Sequence, residues 1–253
     1  MRIAIVEWPD ELEPDSTAWK AIIQAVDASR PDILITNEMP FGPWVASAPV
    51  FDQEVAAQTI AIHEAGLVAL STLSAKAVIS SRPVWAGNKL SNEAIVIEAG
   101  YAKAVHHKQY FPSEPGWYET AWFGAASGEF ETTRIGDIDV GVLLCTELMF
   151  NEHARAYGRH GASLIAIPRA TGVSNDLWHL AGKFAAITSG AYVVSSNRVG
   201  SVTGPVFGGG GFVYSPTGEL LATTDADHPL TIFELDAALS TRRKLCYPCY
   251  VAE

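Results

Sequence analysis

Val140-Gly-Val-Leu-Leu-Cys145-Thr-Glu-Leu-Met-Phe-Asn-Glu152 reads as an apolar strand that stops at a thiol and passes through polar residues into a helix. Other short β-branched runs bounded by turn residues lie at 3–6, 33–36, 66–71, 94–97, 140–144, 163–167, 191–195, 211–214 and 230–234. Between several of them the apolar residues recur with helical spacing, at 16–28, 53–65, 152–160 and 175–189. Strand alternating with helix predicts an α/β layered fold. No Ser/Gly/Pro linker divides the chain, so residues 1–253 read as a single domain. Two segments echo each other: Asn92 to Gly100 resuming at Tyr101, and Gly211 to Gly218 resuming at Glu219. Each is an apolar run turned at glycine, the mark of a hairpin. A hairpin in each half suggests two facing sheets covered by helices, a four-layer sandwich.

Hydrophobic residues make up 48% and charged residues 18%, enough to build a large core. A net charge of −11 repels phosphate backbones and anionic lipid, so neither nucleic acid nor membrane is the expected partner. The one basic cluster, Arg242-Arg-Lys244, is too short to reverse this. The opening MRIAIVEWP lacks the length and cleavage pattern of a signal peptide. No apolar run reaches the roughly 18 residues of a membrane span. Three cysteines do not make a disulfide framework. A reducing, cytoplasmic setting is expected.

Three side chains could carry chemistry, each with a plainer reading beside it. Cys145 is either a small buried hydrophobe or a thiolate favoured by backbone N–H groups and the helix that follows. Glu38 ends the apolar run of Pro31-Asp-Ile-Leu-Ile-Thr-Asn-Glu38-Met-Pro, where α/β sheets bind ligands, or it sits on a surface loop. Lys108, in Val105-His-His-Lys108-Gln-Tyr-Phe-Pro112, is a solvated surface charge or an oxyanion donor.

Taken together and in this order, with these flanks, the residues resemble the nitrilase superfamily of carbon–nitrogen hydrolases. The matching pieces are Asn37-Glu38-Met-Pro-Phe, Asn92, His107-Lys108-Gln-Tyr-Phe-Pro, Pro115-Gly-Trp-Tyr-Glu119, Leu144-Cys145-Thr-Glu147 and Ser196-Asn197-Arg198-Val199-Gly200. The resemblance covers nearly the whole chain. It implies a four-layer αββα sandwich and catalysis by Glu38, Lys108 and Cys145, with Glu119 as a second glutamate and Glu114 as its competitor. It also implies an oxyanion donor in the Thr146 backbone N–H, and a homodimer or larger homo-oligomer. The expected reaction is hydrolysis of a small linear amide or N-carbamoyl compound. A nitrilase and a catalytically silent binding protein are the alternatives.

The sequence departs from the family pattern in places. Thr146 stands where many relatives have an aromatic residue, and Met149 and Asn151 where many have Arg and Pro. Arg169 replaces a small residue; it either binds a substrate carboxylate or carbonyl, or pairs internally with Glu147. Cys246-Tyr-Pro-Cys249 reads as structural or incidental, since no second cysteine pair supports a zinc site. Gly208–Gly211 reads as a flexible lead into the hairpin, lacking the Lys-Ser/Thr of a phosphate loop. The histidines lack metal-site spacing, and no cofactor is expected.

Overall fold

The computed structural model describes residues 1–125 and 128–252. In chain order the elements begin with β1 (Arg2–Pro9), α1 (Thr17–Ser29), β2 (Ile33–Ile35), α2 (Gln53–Ser71), β3 (Ala77–Ala86), β4 (Lys89–Glu98) and β5 (Tyr101–His107). A short α3 (Glu119–Trp122) leads to β6 (Thr133–Ile135), β7 (Ile138–Val142), α4 (Asn151–Arg159), β8 (Leu164–Arg169), α5 (Asp176–Ser189) and β9 (Tyr192–Gly200). The chain closes with β10 (Phe207–Gly208), β11 (Phe212–Tyr214), β12 (Leu220–Thr223), β13 (Leu230–Glu234) and α6 (Ala237–Lys244).

Side-chain alternation along the strands builds the layers. On β1, Ile3 and Ile5 point into a core with Ile33 and Ile35 of β2 and with Val140, Val142, Leu164 and Val194 of the other half. Their neighbours Ala4 and Val6 point the opposite way, onto Trp19 and Val26 of α1 and Leu70 of α2. In the second half, Ile165, Ile167 and Val193 face Ala154 and Tyr157 of α4 and Ala185 and Ala186 of α5. Each fully buried aliphatic side chain contributes about 1.5–3 kcal/mol. The result is the expected four-layer αββα sandwich.

The sheets meet at β1. Its first part pairs with β13 (antiparallel) and β2 (parallel), while Glu7–Pro9 pairs in parallel with Asn197–Val199 of β9. The N-caps follow the local sequence: Ser16 accepts the Trp19 N–H, and Asp52 accepts those of Glu54 and Val55.

Both predicted hairpins are present, as β4–β5 and β11–β12. The strand expected at 66–71 is not: these residues form the last turns of α2. Gly66 and Leu70, four apart, are buried while Val68 between them is exposed, which is helical spacing. Gly66 is required there, because a Cβ would collide with the Phe41 ring. The strand is instead β3, whose Ser80-Ser81-Arg82-Pro83 interior hides it from hydrophobicity.

Candidate active site

Glu38 lies just beyond β2, its N–H donating to the Arg169 carbonyl at 3.1 Å. Lys108 follows β5, its N–H donating to the Asn92 carbonyl on β4 at 2.9 Å. Glu119 opens α3. All three side chains are completely buried. The Lys108 ammonium donates to Glu38 Oε1 at 2.8 Å and to Glu119 Oε2 at 2.6 Å, and Asn92 Nδ2 donates to the same Glu38 oxygen at 2.8 Å. Of the three hydrogens an ammonium carries, one is left for a further acceptor. Glu38 Oε2 and Glu119 Oε1 are buried with no partner among the described residues. Buried carboxylate oxygens are normally hydrogen-bonded, so two such atoms in one place point to a ligand's donors.

Cys145 begins a 3₁₀ turn, Cys145–Met149, at the end of the extended run from β7. Its φ of 51° is left-handed, a costly conformation for a side-chain-bearing residue and one that gathers at functional sites. The Ala170 N–H and Lys108 favour the charged form of its thiol, and Glu38 and Glu119 oppose it. Cys145 and Glu119 lie on a cleft of about 510 Å³, walled by Trp117, Thr146, Met149 and Trp178.

Charge is arranged with care here. Burial opposes the Lys108 charge, but Glu119 and Glu38 outweigh it and hold the ammonium above the ordinary lysine range. Burial pushes Glu119 up to about 7, with Lys108 pulling against the rise and Glu38 adding to it. Burial and then Glu38 push the Cys145 thiol up, with Lys108 opposing. At neutral pH the thiol therefore keeps its proton until a nearby base accepts it. Among the described residues no group of three His, Cys, Asp or Glu could hold a metal ion, and no helix is long and apolar enough to cross a membrane.

The family model of the carbon–nitrogen hydrolases matches residues 7–244. The chain belongs to the carbon–nitrogen hydrolase family. It is 28% identical over 172 residues to N-carbamoylputrescine amidase of Arabidopsis thaliana, covering 60% of this chain and 58% of that protein. To the chloroplastic omega-amidase of the same plant it is 27% identical over 248 residues, covering 92% of this chain and 66% of the other. The chain thus spans under two thirds of these relatives. Among solved structures, a carbon–nitrogen hydrolase from Helicobacter pylori G27 superposes with a TM-score of 0.85 at 19% identity, covering 99% of this chain and 94% of that one. An amidase from Nesterenkonia sp. gives 0.79 at 22% identity, covering 97% and 94%. The resemblance seen in the sequence, to the nitrilase superfamily, is the right one.

Within this chain the remaining candidates are sorted by position. Thr146 is on the cleft wall, and Glu114 is an exposed rim residue, whereas Glu119 reaches Lys108. Arg169 is not on the cleft wall. It is fully buried, with Nε donating to Ser195 Oγ at 2.7 Å and Nη2 to the Gly210 carbonyl at 2.8 Å. Nor does it pair with Glu147. That carboxylate accepts the Leu144 and Gln109 N–H groups and meets His106 Nε2, each at 2.8 Å. Glu147 therefore ties the cysteine turn to the lysine segment, a role that sequence reading missed. Its signal was a glutamate at the third position of a helical turn, where a side chain reaches back to the cap N–H. Asn92 was noted only as a matching residue, yet its amide orients Glu38. Gly208–Gly211 leads into the hairpin and is closely packed: at Gly209 φ is 61° and a Cβ would collide with the Glu7 carboxylate. Cys246 is exposed and Cys249 half-buried, both as free thiols.

Proposed function

We propose that the protein hydrolyses the C–N bond of a small linear amide or N-carbamoyl compound through a thioester on Cys145. The observation that carries this is the buried Glu38–Lys108–Glu119 chain on a cleft holding a cysteine, with two carboxylate oxygens left unpartnered. Cys145 Sγ attacks the carbonyl carbon as Glu38 takes the thiol proton. The oxyanion that forms meets the remaining Lys108 hydrogen and the Thr146 N–H. Glu119 Oε1 accepts an N–H of the substrate while Oε2 keeps Lys108 in place. The C–N bond breaks as Glu38 passes its proton to the nitrogen, and ammonia or an amine leaves. Water then gives a proton to Glu38 and adds its oxygen to the thioester carbon. Collapse releases the acid, and Cys145 recovers its proton from Glu38.

Trp117, Met149, Val173, Leu177, Trp178 and Val206 make the cleft walls largely apolar. This supports an uncharged acyl chain rather than the carboxylate-bearing one that Arg169 suggested. A cytoplasmic homodimer or larger homo-oligomer completes the proposal. Exposed Leu177, Leu180 and Phe184 on α5, with Leu245, Tyr247 and Tyr250 in the tail, support it as apolar surface of the kind that self-association covers.

Ammonia release from a panel of amides, ureas and nitriles tests the reaction, with Cys145→Ala as control. Amides or ureas should be turned over and the variant should be inert. Turnover of nitriles alone makes the protein a nitrilase. No turnover at all favours the binding-protein alternative.

A further inference from the structure

The end of β8 touches both of the groups just assigned to the reaction. The Arg169 carbonyl accepts the Glu38 N–H at 3.1 Å, and the next residue, Ala170, lines the cleft together with Cys145. The Ala170 carbonyl accepts the Trp117 indole N–H at 3.1 Å, and Thr171 lines the cleft. Base and nucleophile thus depend on where three consecutive residues lie.

The Arg169 side chain fixes that place. Besides Ser195 on β9 and Gly210 before β11, it donates through Nη1 to Thr171 Oγ1 at 3.2 Å and to Asn175 Oδ1, the residue before α5, at 3.4 Å. The guanidinium carbon lies 5.1 Å from the Trp178 ring centroid and 5.0 Å from that of Phe212. One planar cation therefore binds β8 to β9, to the glycine segment and to the start of α5. Every acceptor is neutral, and among the described residues no carboxylate pairs with it. Burial lowers its pKa only to about 10, so it stays charged at neutral pH. A cation that no carboxylate cancels, in a buried site, favours any negative charge that develops nearby.

We infer that Arg169 is a positioning residue for the nucleophile: it holds the strand end that touches Glu38 and Cys145, and its uncancelled charge stabilises the thiolate. This rests on Cys145 being the nucleophile. Arg169 acts through the Ala170 and Arg169 peptide groups and through space, without touching substrate. The charged groups acting on Cys145 are then Glu38, Lys108, Glu119 and Arg169, with the half-buried His179 beside Arg169 as the further titratable neighbour.

The test is the pH profile of Cys145 alkylation by iodoacetamide, read by mass spectrometry, together with kcat and KM on a neutral and a carboxylate-bearing amide. In Arg169→Met the alkylation profile should move to higher pH by about one unit, a tenfold loss of thiolate at a given pH. Its kcat should fall about 10–100-fold on both amides, with KM little changed. Arg169→Lys keeps the charge but not the planar fork. Its alkylation profile should stay near that of the wild type while kcat still falls about 5–20-fold. A folded Arg169→Met with wild-type profile and kcat overturns the inference. So does a KM rise confined to the carboxylate-bearing amide, which would mean direct recognition. If Arg169→Met does not fold, Arg169→Lys decides, and wild-type kcat there overturns the inference. Cys145→Ala separates the two claims: activity surviving in it removes the nucleophile itself. An inactive Cys145→Ala beside unaffected Arg169 variants removes only the role of Arg169.

Discussion

Lys108 and two arginines, Arg169 on β8 and Arg198 on β9, bury the same charge in different surroundings. Lys108 sits between two carboxylates, each of which keeps one oxygen unpartnered. Arg198 on β9 has one carboxylate, Asp10, at 2.8 Å, and also donates to the Gly42 and Met39 carbonyls between the Trp44 and Phe207 rings. Arg169 has only neutral acceptors and rings. A lysine is a point charge that leaves its partners' other valences open, which suits a place where a ligand must enter. A guanidinium uses a rigid fork of donors to bind several segments at once, which suits a frame. The difference separates chemistry from scaffolding among charges that burial alone would not distinguish.

That distinction can be broken in three places. The largest effect is expected at Arg198, whose removal leaves Asp10 charged and buried. Arg198→Met should cost about 3–5 kcal/mol in urea unfolding. A loss under about 1 kcal/mol would mean that Asp10 is not held by this pair. Lys108→Met should instead lower kcat by about 10²–10³-fold with little change in KM, as when an oxyanion donor is lost. An effect on KM alone would reduce Lys108 to a binding group. The smallest effect is a slope. Glu119 titrates at about 7 in the fold against 4.5 ordinarily, so between those values the folded chain holds a proton that the unfolded chain has lost. Stability from this group therefore declines as pH rises from 4.5 to 7. Glu119→Gln should flatten that decline in pH-dependent unfolding, and an unchanged slope would place the titration elsewhere.

The layered fold was legible because strand and helix periods are local properties, and both hairpins announced themselves by a glycine after an apolar run. Where local pattern and packing disagreed, packing won. An apolar stretch at 66–71 continues α2, while β3 carries serines, an arginine and a proline. Glu38, Lys108, Glu119 and Cys145 were legible as an ordered set, and the structure brings them to one buried place. The surroundings of Arg169 were not legible, because Ser195 and Gly210 are remote in sequence and meet Thr171 and Asn175, from the segment that follows Arg169, only in the fold. The packing around the glycine run was hidden for the same reason. Its small residues are there for close packing, which composition alone does not distinguish from flexibility.

The double pairing of β1 has a consequence for how the protein is made. Arg2 lies opposite Glu234, and Glu7 opposite Asn197. A ribosome therefore releases the strand that joins the sheets long before either of those partners has been translated. Until then β1 has an unpaired edge, the kind of surface that attracts other nascent chains. Closure must wait for contacts very distant in sequence, which makes it slow. The candidate site draws on Cys145 after a strand of one sheet and on Glu38 and Lys108 after strands of the other, so it comes into being only when that seam closes.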